Sequence, residues 1–242
     1  MNAGEAERTE TRDVVAMADV SFAWPGASGF ALAIDRFTLA KGRKVLLLGP
    51  SGSGKSTLLS LLAGIVSPNR GRSEILGTDI TPLSSARRDR FRAEHVGVIF
   101  QMFNLLPYGS ALDNVVLPLA FAPQRRQRAN QGGGEAHEAR RLLLALGLPE
   151  ERITRSAGEL SVGQQQRVAA ARALIGGPEL IIADEPTSAL DDDAKGRFLE
   201  LLFHQLDAAG ASLLMVSHET ELGQHFDEVI RLDEVIARRE TA

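Results

Sequence analysis

The chain has 242 residues, 44% of them apolar, enough for one large or two small domains with a buried core. Its net charge of −4 argues against nucleic acid as the main partner, because duplex binding needs a basic face. With no cysteine, a disulfide-held secreted fold and a cysteine-ligated metal are excluded.

Residues 1–12 are polar and charged, lack the apolar centre of a signal peptide, and are expected to be disordered. No stretch approaches ~18 uninterrupted apolar residues, so no membrane span is expected. The expectation is a cytoplasmic protein whose membrane part, if it has one, belongs to another chain.

In chain order, Val14–Phe22 alternates loosely between apolar and polar residues and predicts a strand. Pro25, Gly26, Ser28 and Gly29 predict a loop. Phe30–Ile34 and Phe37–Leu39 predict two short strands, with Lys41-Gly42 as the following turn. Val45–Leu48 is an apolar strand, followed by a helix from about Lys55 to Ala63 and a break at Ser67–Gly71. Ser84–Glu94 reads as a charged helix and Val96–Phe100 as a buried strand.

From Gln101 to about Gly163 the apolar spacing is helical, as in Ala111-Leu112, Val115-Val116 and Leu119. Inside it, Pro123–Gly134 is rich in Gln, Arg and Gly and predicts a flexible excursion. Glu135–Leu146 predicts an amphipathic helix, and Gln164–Ile175 another, stopped by Gly176-Gly177-Pro178. Leu180–Ala183 and Ser212–Val216 are continuous apolar runs of the kind buried in parallel sheets, with a helix at Asp193–Ala209 between them. Strand, helix and strand in alternation predict an α/β core, with the helical middle as an insertion.

The most informative segment is Gly49-Pro50-Ser51-Gly52-Ser53-Gly54-Lys55-Ser56-Thr57, a phosphate-binding P-loop between a strand and a helix. Glycines let backbone N–H groups close around phosphate oxygens, and the helix that follows directs its positive end at the same anion. Lys55 supplies a charge for the β- and γ-phosphates, and the Ser56 hydroxyl is a ligand for Mg²⁺. The run Leu180–Glu185 ends in Asp184-Glu185, where a parallel strand brings carboxylates beside such a loop. Asp184 is suited to Mg²⁺, and Glu185 to accepting a proton from water. Leu160–Arg167 precedes a helix; Ser161 is placed to cap it, as an ordinary helix cap or as a second anion site.

The order of these segments resembles the ATP-binding subunits of ABC transporters over about residues 14–232. Leu160–Gln164 resembles the family's signature motif, and Asp184-Glu185 its Walker B ending. Gln101 is similar to the Q-loop glutamine, Ser188-Ala189-Leu190-Asp191 to the D-loop, and His218 to the switch histidine. Trp24 stands where the family carries an aromatic that stacks on adenine. One departure is Val162, where the signature has a glycine; it bears on hydrolysis rate more than on fold.

The resemblance implies a P-loop NTPase core (13–100 and 165–242), an antiparallel β subdomain and a helical subdomain at about 101–164, all in one domain over 13–242. It implies ATP and Mg²⁺, with ATP held by Trp24 and by the P-loop from Gly49 to Thr57. Ser161, Gly163, Gln164 and Asp191 would come from the opposite subunit of a nucleotide-sandwich homodimer. Ser56, Gln101 and Asp184 would serve the metal; Glu185, His218, Gln101 and Lys55 would serve catalysis. The implied partner is a separate integral membrane permease, with the ATPase peripheral on the inner face of the cell membrane and no added regulatory domain.

Phe100–Pro107 and Gly163–Ala169 resemble the lipoprotein-release and macrolide-export branch, whose work is export, lipoprotein release or mechanotransmission. Two alternatives stay open: a cell-division or envelope-signalling ATPase that transports nothing, and a soluble ABC ATPase of DNA repair or translation. The second usually carries zinc sites, coiled coils or a second ATPase copy, none of which is legible here.

Overall fold

The computed structural model of the chain describes residues 13–25, 31–50 and 52–239. The expected disorder at 1–12, the loop residues Gly26, Ser28 and Gly29, Phe30, and Ser51 of the P-loop lie outside the described residues.

The first alternating run forms β1 (Asp13–Ala23), antiparallel to β2 (Ala31–Ala40). β2 is one continuous strand where two short ones were expected. The polar pair Asp35-Arg36 that breaks the apolar pattern is exposed, yet the backbone keeps its pairing, with Arg36 opposite Ala18. β3 (Lys44–Leu48) leads into α1 (Lys55–Leu62). The expected break at Ser67–Gly71 instead contains the start of β4 (Arg70–Ile75), which pairs antiparallel with β1 and with β5 (Thr78–Asp79). The polar composition of β4 hides it from pattern reading. Its ladder to β1 and the burial of Ser73 and Ile75 make it a strand.

α2 (Ser85–His95) runs into β6 (Val96–Ile99). The middle of the chain carries α3 (Ala111–Val116), α4 (Pro123–Gln131) and α5 (Glu135–Ala145). α4 replaces the expected flexible excursion over Pro123–Gly134. Its composition is polar, but Arg125 within it is buried and multiply bonded. Then follow α6 (Val162–Leu174), β7 (Leu180–Asp184), α7 (Asp192–Ala209) and β8 (Ser212–Ser217). The chain continues through β9 (Glu228–Arg231), α8 (Leu232–Val235) and β10 (Ala237–Arg239), none of which the sequence patterns indicated.

The strands form two five-stranded sheets. One is antiparallel, in the order β10-β2-β1-β4-β5; the other is parallel, in the order β6-β7-β8-β3-β9. In the parallel sheet β6, β7, β8 and β3 are largely buried on both faces, which is why they read as apolar runs, whereas the edge strand β9 is mostly exposed. Leu46, Ile181, Leu213 and Met215 pack toward α3, α5, α6 and α7. Val45, Leu47, Ile182, Leu214 and Val216 pack toward α1 and the antiparallel sheet. The carboxyl ends of β3, β7 and β8 therefore converge on one edge, the usual place for a ligand in such sheets.

Candidate active site

The loop after β3 is tied to β8 by the Gly49 N–H, which donates to the Ser217 carbonyl at 3.2 Å. Gly52 and Gly54 have φ of 74° and 103°, conformations that glycine adopts without steric cost. Lys55, the first residue of α1, is buried and folds back over the loop. Its Nζ donates to the carbonyls of Gly49 (2.8 Å) and Pro50 (3.2 Å) and lies 2.9 Å from Glu185 Oε1. Trp24 is 42% exposed, stands edge-on to Phe22, and donates from Nε1 to Thr57 Oγ1 at 3.2 Å. The indole is thus fixed at the start of α1 with part of its surface open.

At the end of β7, the Ser56 hydroxyl donates to Asp184 Oδ2 at 3.3 Å. Burial pushes the Asp184 carboxyl up from its ordinary value; the Ser56 hydroxyl opposes this, Glu185 adds to it and Lys55 opposes it. Glu185 is buried with φ of 43°, a left-handed backbone that costs a non-glycine residue of order 1–3 kcal/mol. Its N–H donates to the Val216 carbonyl at 3.0 Å, and its Oε2 lies 3.1 Å from His218 Nδ1. Lys55, Glu185 and His218 therefore form a chain of contacts across one carboxylate. A cavity of about 450 Å³ is lined by Lys55, Ser56, Thr57, Gln101, Asp184 and Glu185 with Gly52 and Gly54. His218, Gly49, Pro50 and Ser53 line a second cavity of about 650 Å³ beside it.

Ser161, Gly163, Gln164 and Asp191 do not line either cavity. Ser161 and Gln164 form a reciprocal capping box on α6, with Ser161 N–H to Gln164 Oε1 at 3.1 Å and Gln164 N–H to Ser161 Oγ at 3.4 Å. Asp191 caps α7 by accepting from the Ala194 N–H at 2.8 Å. Val162 opens α6 with its side chain half exposed, in an unbroken helix.

Two connections were not legible in the sequence. Glu94 of α2 accepts the backbone N–H groups of Gln124 and Arg125, capping α4. The buried Arg125 guanidinium donates to the carbonyls of Ile175 (2.8 Å) and Ala173 (3.0 Å). Burial lowers the Arg125 pKa to about 10. Gln166, third in a run of glutamines, is buried and donates to the Pro186 carbonyl. Only the partners, distant in sequence, mark these residues out.

The metal test is a matter of donor chemistry. Ser56 and Asp184 offer hard oxygens at hydrogen-bonding distance, and Gln101 opens on the same cavity. That set fits a small hard cation, which takes one or two carboxylates and completes its shell with phosphate and water. Among the described residues no group of three or more His, Cys, Asp or Glu side chains converges, so a cation held wholly by such residues has no candidate there.

A parallel sheet with a P-loop at its carboxyl edge, facing an acidic pair and a histidine, defines a P-loop nucleoside triphosphatase. The chain belongs to the ABC transporter family, whose description matches residues 32–188. It is an ATPase of that family and binds ATP.

Over 214 residues it is 39% identical to the lipoprotein-releasing system ATP-binding protein LolD of Novosphingobium aromaticivorans, covering 88% of this chain and 92% of that one. Over 204 residues it is 41% identical to the macrolide export ATP-binding/permease protein MacB of Bdellovibrio bacteriovorus, covering 84% of this chain and 29% of that one. The solved dimer of the ATP-binding cassette MJ0796, in a post-hydrolysis state with ADP and Pi, superposes with a TM-score of 0.78 at 30% identity. The match covers 93% of this chain and 98% of that one. Among the described residues no helix is long and apolar enough to cross a membrane.

Proposed function

We propose that this chain is the ATP-hydrolysing subunit for a separate integral membrane permease, acting as a nucleotide-sandwich homodimer on the cytoplasmic face of the membrane. The observation that carries the chemistry is the Lys55–Glu185–His218 contact chain beside the Ser56–Asp184 pair. Phosphoryl transfer needs positioning and charge neutralisation more than covalent help. Lys55 and the N–H groups of the P-loop bind the phosphates of ATP. Trp24 offers an aromatic surface for the base. Glu185 orients water and takes its proton, while His218, against the same carboxylate, holds the γ-phosphate. Ser56, Asp184 and Gln101 would hold Mg²⁺, which when bound neutralises charge on the β- and γ-phosphates.

Ser161, Gly163 and Gln164 sit at the N-terminus of α6 and line neither cavity beside the P-loop of their own subunit, which supports a role toward the opposite subunit's nucleotide. Asp191, at the start of α7, carries contact across the dimer. The whole of 13–242 acts as one ATPase domain, its helical part at about 101–164 beginning with Gln101. The similarity to LolD and MacB supports export, lipoprotein release or mechanotransmission as the work done.

The test is a membrane pull-down with tagged Glu185→Gln protein and ATP, read by mass spectrometry. A co-purifying permease with a large extracytoplasmic domain is the expected result. Recovery of soluble partners alone would replace the transporter reading with a non-transport ABC ATPase.

A further inference from the structure

Glu185 adopts a backbone conformation that its own sequence disfavours. The residue before a proline is driven toward extended backbone, and Glu185, which precedes Pro186, has φ of 43°. Such a conformation persists when the surroundings over-determine it. Three hydrogen bonds hold this turn. The Glu185 N–H donates to the Val216 carbonyl of β8 at 3.0 Å, and the Ser188 N–H donates back to the Glu185 carbonyl at 3.3 Å. The third bond reaches in from another element: Gln166 Nε2 of α6 donates to the Pro186 carbonyl at 2.6 Å.

Gln166 is only 1% exposed, so its amide is committed to the interior. Its neighbours in the glutamine run are engaged elsewhere. Gln164 belongs to the α6 cap, and Gln165 Nε2 donates to the Leu160 carbonyl at 3.0 Å. Of the three, Gln166 reaches the turn that presents the Glu185 carboxylate. The same two pieces of chain meet at a second point, where a Cβ at Gly163 would lie 3.4 Å from Leu190 Cδ2. The first turns of α6 thus lie close to the segment between Glu185 and Asp191 and are bonded to it through Gln166.

We propose that Gln166 is a positioning residue for ATP hydrolysis, whose buried amide links the N-terminal end of α6 to the backbone of Glu185. This rests on the reading of Glu185 as the base and of Ser161 and Gly163 as contacts to the opposite subunit's nucleotide. When the end of α6 engages that nucleotide, the Gln166–Pro186 bond transmits the fit to Glu185, whose carboxylate sits between Lys55 and His218. Each subunit then sets its own base according to the nucleotide it touches across the dimer. The coupling runs inside one subunit, through a single amide.

The experiment uses the full chain as wild type, Gln166→Leu, Gln166→Glu and Glu185→Gln. ATP hydrolysis is measured against ATP concentration and against pH, with binding of trinitrophenyl-ATP as an independent readout. Loss of the amide in Gln166→Leu should lower kcat roughly 10- to 100-fold, the scale of a small misplacement of a reacting group. Probe affinity should stay at the wild-type value, and the Hill coefficient for ATP should fall toward one. In Gln166→Glu the ionised carboxylate cannot donate to Pro186, but the protonated acid can. Its kcat relative to wild type at the same pH should therefore rise as the pH is lowered.

Nearby charged groups are already engaged: Arg167 with the Leu146 carbonyl, Glu185 with Lys55 and His218, and Asp191 with the Ala194 N–H. Wild-type kcat in the Gln166→Leu or Gln166→Glu variant would overturn the proposal. So would loss of activity in step with probe affinity. If Gln166→Leu does not fold, a pH-independent ratio for Gln166→Glu overturns it. Full turnover by Glu185→Gln is a separate failure, that of the base assignment; an inactive Glu185→Gln beside a fully active Gln166→Leu removes Gln166 alone.

Discussion

Lys55 Nζ lies 2.9 Å from Glu185 Oε1, and both side chains are buried. The cation that would meet phosphate and the carboxylate that would take a proton from water are held by one another. Removing one member of a buried ion pair costs roughly 3–5 kcal/mol, because the other charge is left without a partner. Here His218 at Glu185 Oε2 softens that loss. Lys55→Met should therefore lower Tm by several degrees, at about 2–4 °C per kcal/mol for a chain of this size. The double variant Lys55→Met with Glu185→Gln should recover most of it. Thermal melts of the four proteins form the cycle, and a double variant less stable than Lys55→Met would reject the pairing. Glu185→Gln alone should bind ATP while losing roughly 10²–10⁴ in turnover, the range for a general base.

Asp184 makes a prediction about pH. Its folded pKa is raised above the ordinary 3.8, chiefly by burial. A raised pKa stabilises the fold while the group is protonated, and this stability is lost as pH rises through the folded pKa. At neutral pH the ionised carboxylate is therefore a burden on the fold. Asp184→Asn should be more stable than wild type at neutral pH, with the advantage shrinking as pH falls toward the carboxylate range. Mg²⁺ should stabilise the wild type more than the variant, since a ligand of the folded state raises stability by mass action. Melts with and without Mg²⁺ across pH check both statements.

Gly163 separates folding from function. A methyl there would meet Leu190 at an ordinary contact distance of 3.4 Å, so the interior accepts it. Alanine favours a helix over glycine by up to about 1 kcal/mol. On the proposed reading of Gly163 as a contact to the opposite subunit's nucleotide, Gly163→Ala should leave Tm equal or higher while lowering ATP-driven dimerisation and turnover. Val162 is half exposed in a regular first turn, so Val162→Gly should lower Tm only slightly and show its larger effect in turnover. Light scattering with ATP and steady-state hydrolysis distinguish the two variants.

The Glu94–Arg125 connection is structural in its consequences. Arg125→Met leaves the carbonyls of Ala173 and Ile175 buried without this donor, at about 1–3 kcal/mol for each group left unsatisfied. Arg125→Lys should rescue only in part, because an ammonium lacks the planar fork that reaches several carbonyls at once. Urea midpoints of the two variants test this. Equal stability for lysine and arginine would remove the argument.

Where a segment's neighbours in sequence are also its neighbours in space, the reading from sequence came close. The helix at Glu135–Ala145 and the strands β7 and β8 follow from local periodicity, since amphipathic spacing and two-sided burial leave a mark along the chain. β4 and α4 leave none. One is a strand of polar residues kept by pairing with β1; the other is a polar helix kept by Glu94 and by the Arg125 bonds. β9 and β10 are short strands recruited to sheet edges formed by distant segments.

The amino-acid sequence by itself determined the ligand class, because a P-loop is contiguous and its glycines, lysine and serine carry their chemistry within nine positions. Tertiary structure alone decided which groups meet. Ser56 reaches Asp184 because β3 and β7 both flank β8 in one parallel sheet. Glu185 takes a left-handed turn because β8 and α6 supply the bonds that hold it there. Hydrogen-bond geometry is a property of positions in space, and a chain of residues specifies those positions only once every strand has found its neighbours.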